Sequence, residues 1–237
     1  MLVRFLSAVT LAPLGGLLTP SSAQSRPAAV DAVPVYRESR HRLVFENAYT
    51  RILDVRIPVG DTSRYHVHAD RQLGIVISAA RTWQQYLGKP AQGADSSNAI
   101  VGSISDNAKA TLPYTHRVAN AGSTLFHYVA GQFLKASGIA AKVLPANSGL
   151  TFDHESMGAR IYRVTLAPGQ STALHLHARP GLTVQVTNGS LQMRGTKPEA
   201  GRKDAGAGAW YWRVAGSNHT LRNTGTAPVQ VIEIDWP

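Results

Sequence analysis

Residues 51–73 have the sequence RILDVRIPVGDTSRYHVHADRQL, and residues 160–182 have the sequence RIYRVTLAPGQSTALHLHARPGL. The second stretch begins 160 − 51 = 109 residues after the first, and the two align without a gap. Over positions 51–80 and 160–189 eight residues are identical, and two of these positions form a His-x-His pair in each copy. A gap-free match that contains this rare pair indicates an internal repeat.

A second matching pair of motifs follows downstream, with the pattern His-x-x-x-Asn-x-Gly in both copies: His116, Asn120 and Gly122, then His219, Asn223 and Gly225. Here the offset is 219 − 116 = 103, so the segment between the motifs is six residues longer in the first copy. The repeat predicts two similar domains at residues 33–135 and 145–237, joined by a linker at 136–144.

Each copy has the pattern of β-strands. Leu182, Val184 and Val186 alternate with polar residues at 183, 185 and 187, and such a period of two is typical of strands. Turn signals containing Gly, Pro and Asn separate these segments, as at Asn188-Gly189. The sequence therefore predicts an all-β protein of two barrels or sandwiches in tandem.

The first 23 residues predict a secretory signal peptide. A positive start at Arg4 precedes the uncharged apolar segment 5–18, and small residues end at Ala23, where we expect cleavage. The apolar segment is shorter than the ~20 residues that span a bilayer. No later segment is apolar for long enough, so we expect a secreted or periplasmic protein with no transmembrane span after signal removal.

Composition excludes several classes of protein. The 237 residues include no cysteine, which rules out disulfides, thiolate metal sites and a cysteine nucleophile. The 24 Lys and Arg exceed the 14 Asp and Glu, for a net charge of +10, but these basic residues are dispersed. We therefore expect no nucleic-acid partner, and weak attraction to anionic envelope polymers stays open, as does a homodimer.

The His-x-His pairs are candidates for metal binding. Side chains two apart on a strand project from one face, so His66 and His68 lie together, as do His175 and His177. A third imidazole from a neighbouring strand, His116 or His219, would complete a set of three. The alternative is a row of polar histidines on a solvated strand, which the repetition of the pair disfavours.

These motifs resemble those of the cupin superfamily, and the chain after residue 33 is similar to a two-domain cupin, or bicupin. The first cupin motif places His-x-His five residues after a glycine, as at Gly60 and Gly169, and the second ends in His-x-x-x-Asn. The resemblance implies two cupin-type barrels, of the double-stranded β-helix or jelly-roll kind, in tandem. It is less specific for function, because this fold carries enzymes, binding proteins and storage proteins.

One departure from the family concerns its conserved Glu, the usual fourth metal ligand. Leu73 and Leu182 take its place, so we expect neither site to contain a carboxylate. With the shorter motif spacing the position falls on Gln72 or Gly181, of which only Gln72 could coordinate. Three neutral imidazoles leave positions on a dication open for water, dioxygen or a chelating substrate, and some cupin dioxygenases are built on three histidines.

Other side chains near the histidines are secondary candidates. Arg64 shares the strand face of His66 and could meet a substrate carboxylate, and Tyr114 shares the face of His116 and could donate a proton or a hydrogen bond. Trp210 and Trp212 favour packing between sheets over lining a pocket. The remaining histidines are interpreted as structural or surface residues: His41, His127 and His154.

Two functions remain open. The first is an exported metal-dependent oxidoreductase, most plausibly a dioxygenase, that binds a small organic substrate at a three-histidine site in one or both domains. The second is a non-catalytic cupin that binds a metal, a small ligand or a polysaccharide. The cofactor is a divalent transition metal, and imidazole ligands suit Fe, Cu, Ni and Zn alike.

Overall fold

The structure, a computed structural model, describes residues 31–92, 98–202 and 206–237. The expected signal peptide lies outside the described residues. Residues 31–237 belong to one compact unit, so the domain boundaries at 135 and 145 stay predictions. Among the described residues, no helix has the length and hydrophobicity needed to cross a membrane.

Short strands and tight turns make up the first half of the described chain. A 3₁₀ turn at Val35–Arg37 lies between the first strand and the second. The strands are β1 (Val33–Pro34), β2 (His41–Glu46), β3 (Thr50–Ile57), β4 (His66–His68), β5 (Arg71–Ser78), β6 (Ala80–Tyr86), β7 (Ala91–Gln92), β8 (Asn98–Ala99), β9 (Ile104–Asp106), β10 (Tyr114–Asn120) and β11 (Phe126–Phe133).

The second half repeats this arrangement after a 3₁₀ turn at Ala146–Ser148. Its strands are β12 (Thr151–Ser156), β13 (Ala159–Leu166), β14 (His175–His177), β15 (Gly181–Gln185), β16 (Leu191–Gly195), β17 (Ala200–Arg202), β18 (Trp210–Arg213), β19 (Ser217–Asn223) and β20 (Val229–Asp235).

Each half contains two sheets. The sheets that carry the histidines, here called the histidine sheets, have the orders β1-β4-β10-β6-β7, with β8 also on β6, and β14-β19-β16. The other two, here called the core sheets, have the orders β2-β3-β11-β5-β9 and β12-β13-β20-β15-β18-β17. The all-β prediction is confirmed. The sheets remain separate and do not close into barrels, so the tandem-barrel arrangement stays a prediction.

The two core sheets pack against each other and form the largest apolar core. Strand β20 contributes to both faces of its sheet. Ile232 and Ile234 belong to the core between the two sheets, whereas Val231 faces the interior of its own half. Trp210 and Trp212 lie in the same core, which agrees with the prediction that they pack between sheets. Its buried members from both halves include Ile52, Leu73, Ile75, Val129, Ile161, Leu182, Val184 and Trp236.

The repeated asparagine of the second motif closes a turn in each half. Asn120 donates from Nδ2 to the carbonyls of Ile57, at 2.9 Å, and Thr124, at 2.7 Å, and its Oδ1 accepts from the amide of Gly122 at 2.9 Å. Asn223 makes the three equivalent bonds, at 2.8–2.9 Å, with Leu166, Ala227 and Gly225. Because buried backbone groups need partners, we assign these asparagines to the fold and not to the chemistry.

Candidate metal centres

The N-terminal histidine set consists of His66, His68 and His116. The first two project from one face of the short strand β4, and the antiparallel register of β10 places His116 directly opposite His66. All three side chains are buried, and each offers a nitrogen within 4.8 Å of the others. The Nε2 atoms of His68 and His116 are 3.1 Å apart.

Hydrogen bonds fix which ring nitrogen carries the proton in two members of this set, His66 and His116. His66 Nδ1 donates to the carbonyl of Arg64 at 2.9 Å, and His116 Nδ1 donates to Gln84 Oε1 at 3.1 Å. In a neutral imidazole the other nitrogen, Nε2, then keeps its lone pair. None of the described residues hydrogen-bonds His66 Nε2. Such Nδ1 acceptors are typical of histidines that ligate a metal.

The electrostatics of the N-terminal set keep its rings neutral. Burial, followed by the neighbouring histidines, lowers the pKa of His66 and of His68 to about 2. The same causes lower the pKa of His116 to about 3. Neutral rings with converging lone pairs fit a metal cation, and they repel one another when no cation or proton lies between them.

The C-terminal set has four members, His175, His177, His219 and Glu233. The histidines come from β14 and β19 in the same register as in the first half, and Glu233 comes from β20. Glu233 Oε2 lies 3.0 Å from His175 Nε2 and 3.3 Å from His177 Nε2, and its Oε1 lies 2.9 Å from His219 Nε2.

The expectation that neither site contains a carboxylate is therefore wrong for the C-terminal set. The cupin motif locates its Glu on the strand after His-x-His, where Leu73 and Leu182 face the core between the two halves. The carboxylate of Glu233 arrives instead from the last strand, which pairs with β13 and β15. The sequence did contain a signal, because two acidic residues alternate with isoleucines at the end of the strand VQVIEID.

Among the described residues of the first half, no carboxylate corresponds to Glu233. Tyr162 pairs with Glu233 between β13 and β20, and Leu53, its equivalent in the repeat, pairs with Ala130 between β3 and β11. Ala130 therefore occupies the position of Glu233. For the N-terminal set, three histidines without a carboxylate agree with the sequence expectation.

The spacing of the C-terminal set matches that of ligands around one ion. Ligand atoms about 2.1 Å from an ion and at right angles lie about 3.0 Å apart. His175 Nδ1 donates to the carbonyl of Ala173 at 2.9 Å, and His177 Nδ1 donates to Asp235 at 2.6 Å. A cation between their Nε2 atoms and the Glu233 carboxylate would take the place of the protons that otherwise link these groups.

The surroundings of Glu233 keep it ionised. Burial raises its pKa, but the charge of His177 and hydrogen bonds from the three histidines outweigh burial and hold the pKa well below its usual range. Thr183 Oγ1 donates to Glu233 Oε1 at 2.7 Å and accepts from Arg213 Nε at 2.9 Å. For His219, burial is the larger influence and lowers its pKa.

The two sets differ in access. His68 and His116 line a cavity of about 920 Å³, together with Tyr86 and Tyr114. Part of its wall comes from the second half of the chain, from three residues of β12: His154, Glu155 and Ser156. Its remaining lining includes segments of β5, β6 and β9.

The C-terminal set lines neither this cavity nor the second one, of about 660 Å³, which lies beside β16 and β18. His177 and Glu233 have no exposed surface. The buried guanidinium of Arg213 lies next to the set, with its Nη2 donating to the carbonyl of Ile234 at 3.0 Å. Two histidines of the N-terminal set thus line a cavity, whereas the four residues of the C-terminal set are buried and line neither of these two.

The secondary candidates differ in position. Tyr114 lines the cavity and stacks on His68, with ring centroids 4.7 Å apart, and burial raises its pKa to about 12. The side chain of Arg64 points elsewhere, to an exposed ion pair with Asp31. Its backbone nevertheless serves the site, because its carbonyl holds His66.

Of the histidines interpreted as structural or surface residues, two line the cavity, His41 and His154. His41 is buried and its ring centroid lies 4.3 Å from that of His66. No sequence motif marks it. His127 is bonded to Asp54 at 2.8 Å and contacts the backbone at Gly208 of the second half, which agrees with a structural role.

Three solved structures share the fold. AerE from Microcystis aeruginosa aligns with a TM-score of 0.54 and 13% identity, over 83% of this chain and 96% of its own. YhhW from Escherichia coli aligns with a TM-score of 0.52 and 16% identity, over 84% and 89%. A salicylate 1,2-dioxygenase from Pseudaminobacter salicylatoxidans aligns with a TM-score of 0.54 and 11% identity, over 85% and 77%.

At these identities the likenesses show the fold alone. No protein-family model matches the sequence, and no curated protein matches it either. The paired sheets of this chain therefore have the fold of these three proteins.

Proposed function

We propose that this chain is a metal-dependent oxidoreductase of the dioxygenase type that acts on a small organic molecule at the N-terminal histidine set. One observation carries the proposal: the nitrogens of three neutral imidazoles converge within 4.8 Å, and two of the three, His68 and His116, line a cavity of about 920 Å³. A cavity of this size accommodates an organic substrate. The donor set suits Fe, Cu, Ni or Zn.

A divalent metal held there would act as a Lewis acid and as a template that brings substrate and dioxygen together. His66, His68 and His116 would hold it. The Arg64 carbonyl and Gln84 keep two of these rings oriented by accepting their Nδ1 protons. Tyr114, with its raised pKa, stays protonated at neutral pH and can donate a hydrogen bond to a ligand in the cavity.

We assign the C-terminal set a second, stabilising metal. Its four donors and its lack of access to either cavity are features of structural metal sites, whereas catalytic sites keep an open position. Thr183 donates to Glu233 and accepts from Arg213, and these contacts leave little room for a substrate.

The proposal includes the arrangement of the chain. Residues 33–135 and 145–237 would each form a cupin barrel, and the chain would be exported after cleavage behind Ala23. The separate pairs of sheets in the two halves favour the two-barrel arrangement. The composition of the segment 1–23 favours export. Amino-terminal sequencing of protein from periplasm or medium tests export, and the expected first residue is Gln24.

Matched variants test the function. His116→Ala and His219→Ala remove equivalent ligands from the two sets. In protein purified without added metal, each variant should lose one of two bound metals per chain. Oxygen uptake with flavonols, diketones and phenolic acids should disappear only with His116→Ala. Absence of metal from the N-terminal set would refute the proposal, and bound metal without turnover would favour the non-catalytic binding protein.

A further inference from the structure

The cavity of about 660 Å³ in the second half, here called the C-terminal cavity, has an apolar wall. Residues of β16, β17 and β18 line it. Leu191 and Met193 of β16 pack against the apolar interior of this half, and Pro198 and Ala200 add further apolar surface to the cavity. Its volume lies in the range of about 300–1,000 Å³ that is typical of sites for small molecules.

The repeat shows that this apolar wall is particular to the second half. By strand register, Leu191 and Met193 of β16 correspond to Thr82 and Gln84 of β6. Each pair lines the cavity of its own half, which for β6 is the cavity of about 920 Å³, here called the N-terminal cavity. Two apolar side chains therefore occupy the positions of two polar ones, and the two cavities fit ligands of different polarity.

The hydroxyl of Tyr211 is a free donor in the C-terminal cavity. This half-buried side chain lines the cavity, no described residue hydrogen-bonds its hydroxyl, and the hydroxyl is not one of the polar atoms that lack both a partner and accessible surface. Burial raises the pKa of Tyr211, so the hydroxyl keeps its proton at neutral pH. Its equivalent by register is Ser105, whose hydroxyl is engaged with that of Tyr128 at 2.6 Å.

Lys197 brings a positive charge to the same cavity. It lines the cavity, and no described residue forms an ion pair with it. The one carboxylate of the described lining, Glu199, accepts instead from Asn47 Nδ2 at 3.2 Å. Gln192 Oε1 likewise accepts from Arg194 Nε at 3.0 Å, which leaves its amide NH₂ unengaged. An ammonium, a phenol and an amide are thus donors that suit an anionic oxygen.

We propose that the C-terminal cavity is a second ligand site and that it binds an amphipathic carboxylate. The apolar part of this ligand would contact Leu191 and Met193, and its carboxylate would meet Lys197 and Tyr211. Hydrogen bonds to a charged group are stronger than those between neutral groups, so the site would distinguish a carboxylate from an alcohol of the same length. No member of either histidine set lines this cavity, so binding would not require a metal.

Octanoate and 1-octanol are matched probes, because their alkyl chains have the same length and only octanoate is charged. The sequence has three methionines, and carbon-13 in their methyl groups gives each a separate NMR signal. Met193 lines the cavity, whereas Met157 packs against the core between the two halves. Octanoate should shift the signal of Met193 and leave that of Met157 in place. Met193→Leu assigns the signal.

The dissociation constants from this titration should favour octanoate over 1-octanol about tenfold, the size expected of hydrogen bonds to a charged group. Lys197→Gln and Tyr211→Phe should each reduce this preference to about threefold, and the double variant should abolish it. Lys109→Gln is the matched control, because it removes the same charge from a residue that lines the N-terminal cavity. It should keep the full preference.

Several results would overturn this second site. They are a Met193 signal that octanoate does not shift, equal affinity of the wild-type protein for the two probes, and a preference that survives in the double variant. Loss of the preference in Lys109→Gln would also overturn it, because octanoate would then bind in the N-terminal cavity. Lys197 is exposed, so Lys197→Gln should not change the thermal unfolding temperature and tests the site even where Tyr211→Phe is less stable.

Discussion

Ala130 lies in the first half of the chain at the strand position that Glu233 holds in the second half. Two sets of three histidines built on the same strands therefore differ by one carboxylate. The carboxylate would neutralise part of a dication's charge and take up one coordination position. We therefore expect the two sets to differ in the charge and in the open positions of a bound metal.

Glu233→Ala should remove the metal from the C-terminal set only. The three histidines lose their common partner, and the Thr183 hydroxyl loses its acceptor. We expect metal content to fall from two to one per chain and the free energy of unfolding to fall by about 3 kcal/mol, as when one member of a buried ion pair is removed. Elemental analysis and urea titration measure both. Glu46→Ala removes a surface pair with Arg51 and should change neither.

Ala130→Glu should convert the N-terminal set towards the C-terminal one. Without metal the added carboxylate is buried at a position with no exposed surface, so the apo protein should lose about 3 kcal/mol of stability. With metal the stability should recover, affinity should rise, and oxygen uptake should fall because fewer positions stay open. Unchanged metal affinity would show that residue 130 does not face the set.

Metal-free protein should lose stability as the pH falls below about 6.5. The pKa values of His66 and His68, about 2, and of His116, about 3, lie below the usual histidine value of about 6.5, so the unfolded chain binds protons that the folded chain does not. Stability is then present above 6.5 and declines below it, by about 1.4 kcal/mol per pH unit for each histidine. Urea titrations at pH 7.5, 6.5 and 5.5 measure the slope. The three histidines of this set contribute about equally to the slope, so His66→Gln should remove about a third of their joint contribution.

Asn120→Ala and Asn223→Ala should weaken the fold without removing a ligand. Each variant loses two donated bonds and one accepted bond that close a turn. At about 1 kcal/mol each, we expect a loss of about 2–3 kcal/mol. Thermal unfolding measures this loss, and metal content measured well below the unfolding temperature should stay at two per chain. A lower metal content in folded protein would give the asparagines a role in the sites.

The sequence could predict the histidines because strand geometry is local. Side chains two apart share a face whatever the rest of the chain does, so His66 and His68 had to lie together, and the repeat identified the third histidine. The all-β class follows from the same alternation. Glu233 depends on long-range pairing of β20 with β13 and β15, and the repeat offers no guide to it because its partner position is Ala130.

Access to the sites also depends on residues far apart in sequence. Gly181 accommodates the guanidinium of Arg213 in the second half, whereas Gln72 lines a cavity in the first. His41 joins that cavity through the pairing of β2 with β3. None of these relations has a periodic signature, so they could be recognised only once the sheets were assembled.

The wall that β12 contributes to the N-terminal cavity has an evolutionary consequence. After duplication, the second copy became part of the enclosure of the first, in addition to having a histidine set of its own. The two copies are therefore not equivalent in structure. Removing the second copy would take away part of the wall of the cavity in the first. A substitution in this exposed strand of one copy can therefore alter a cavity that lies mostly in the other.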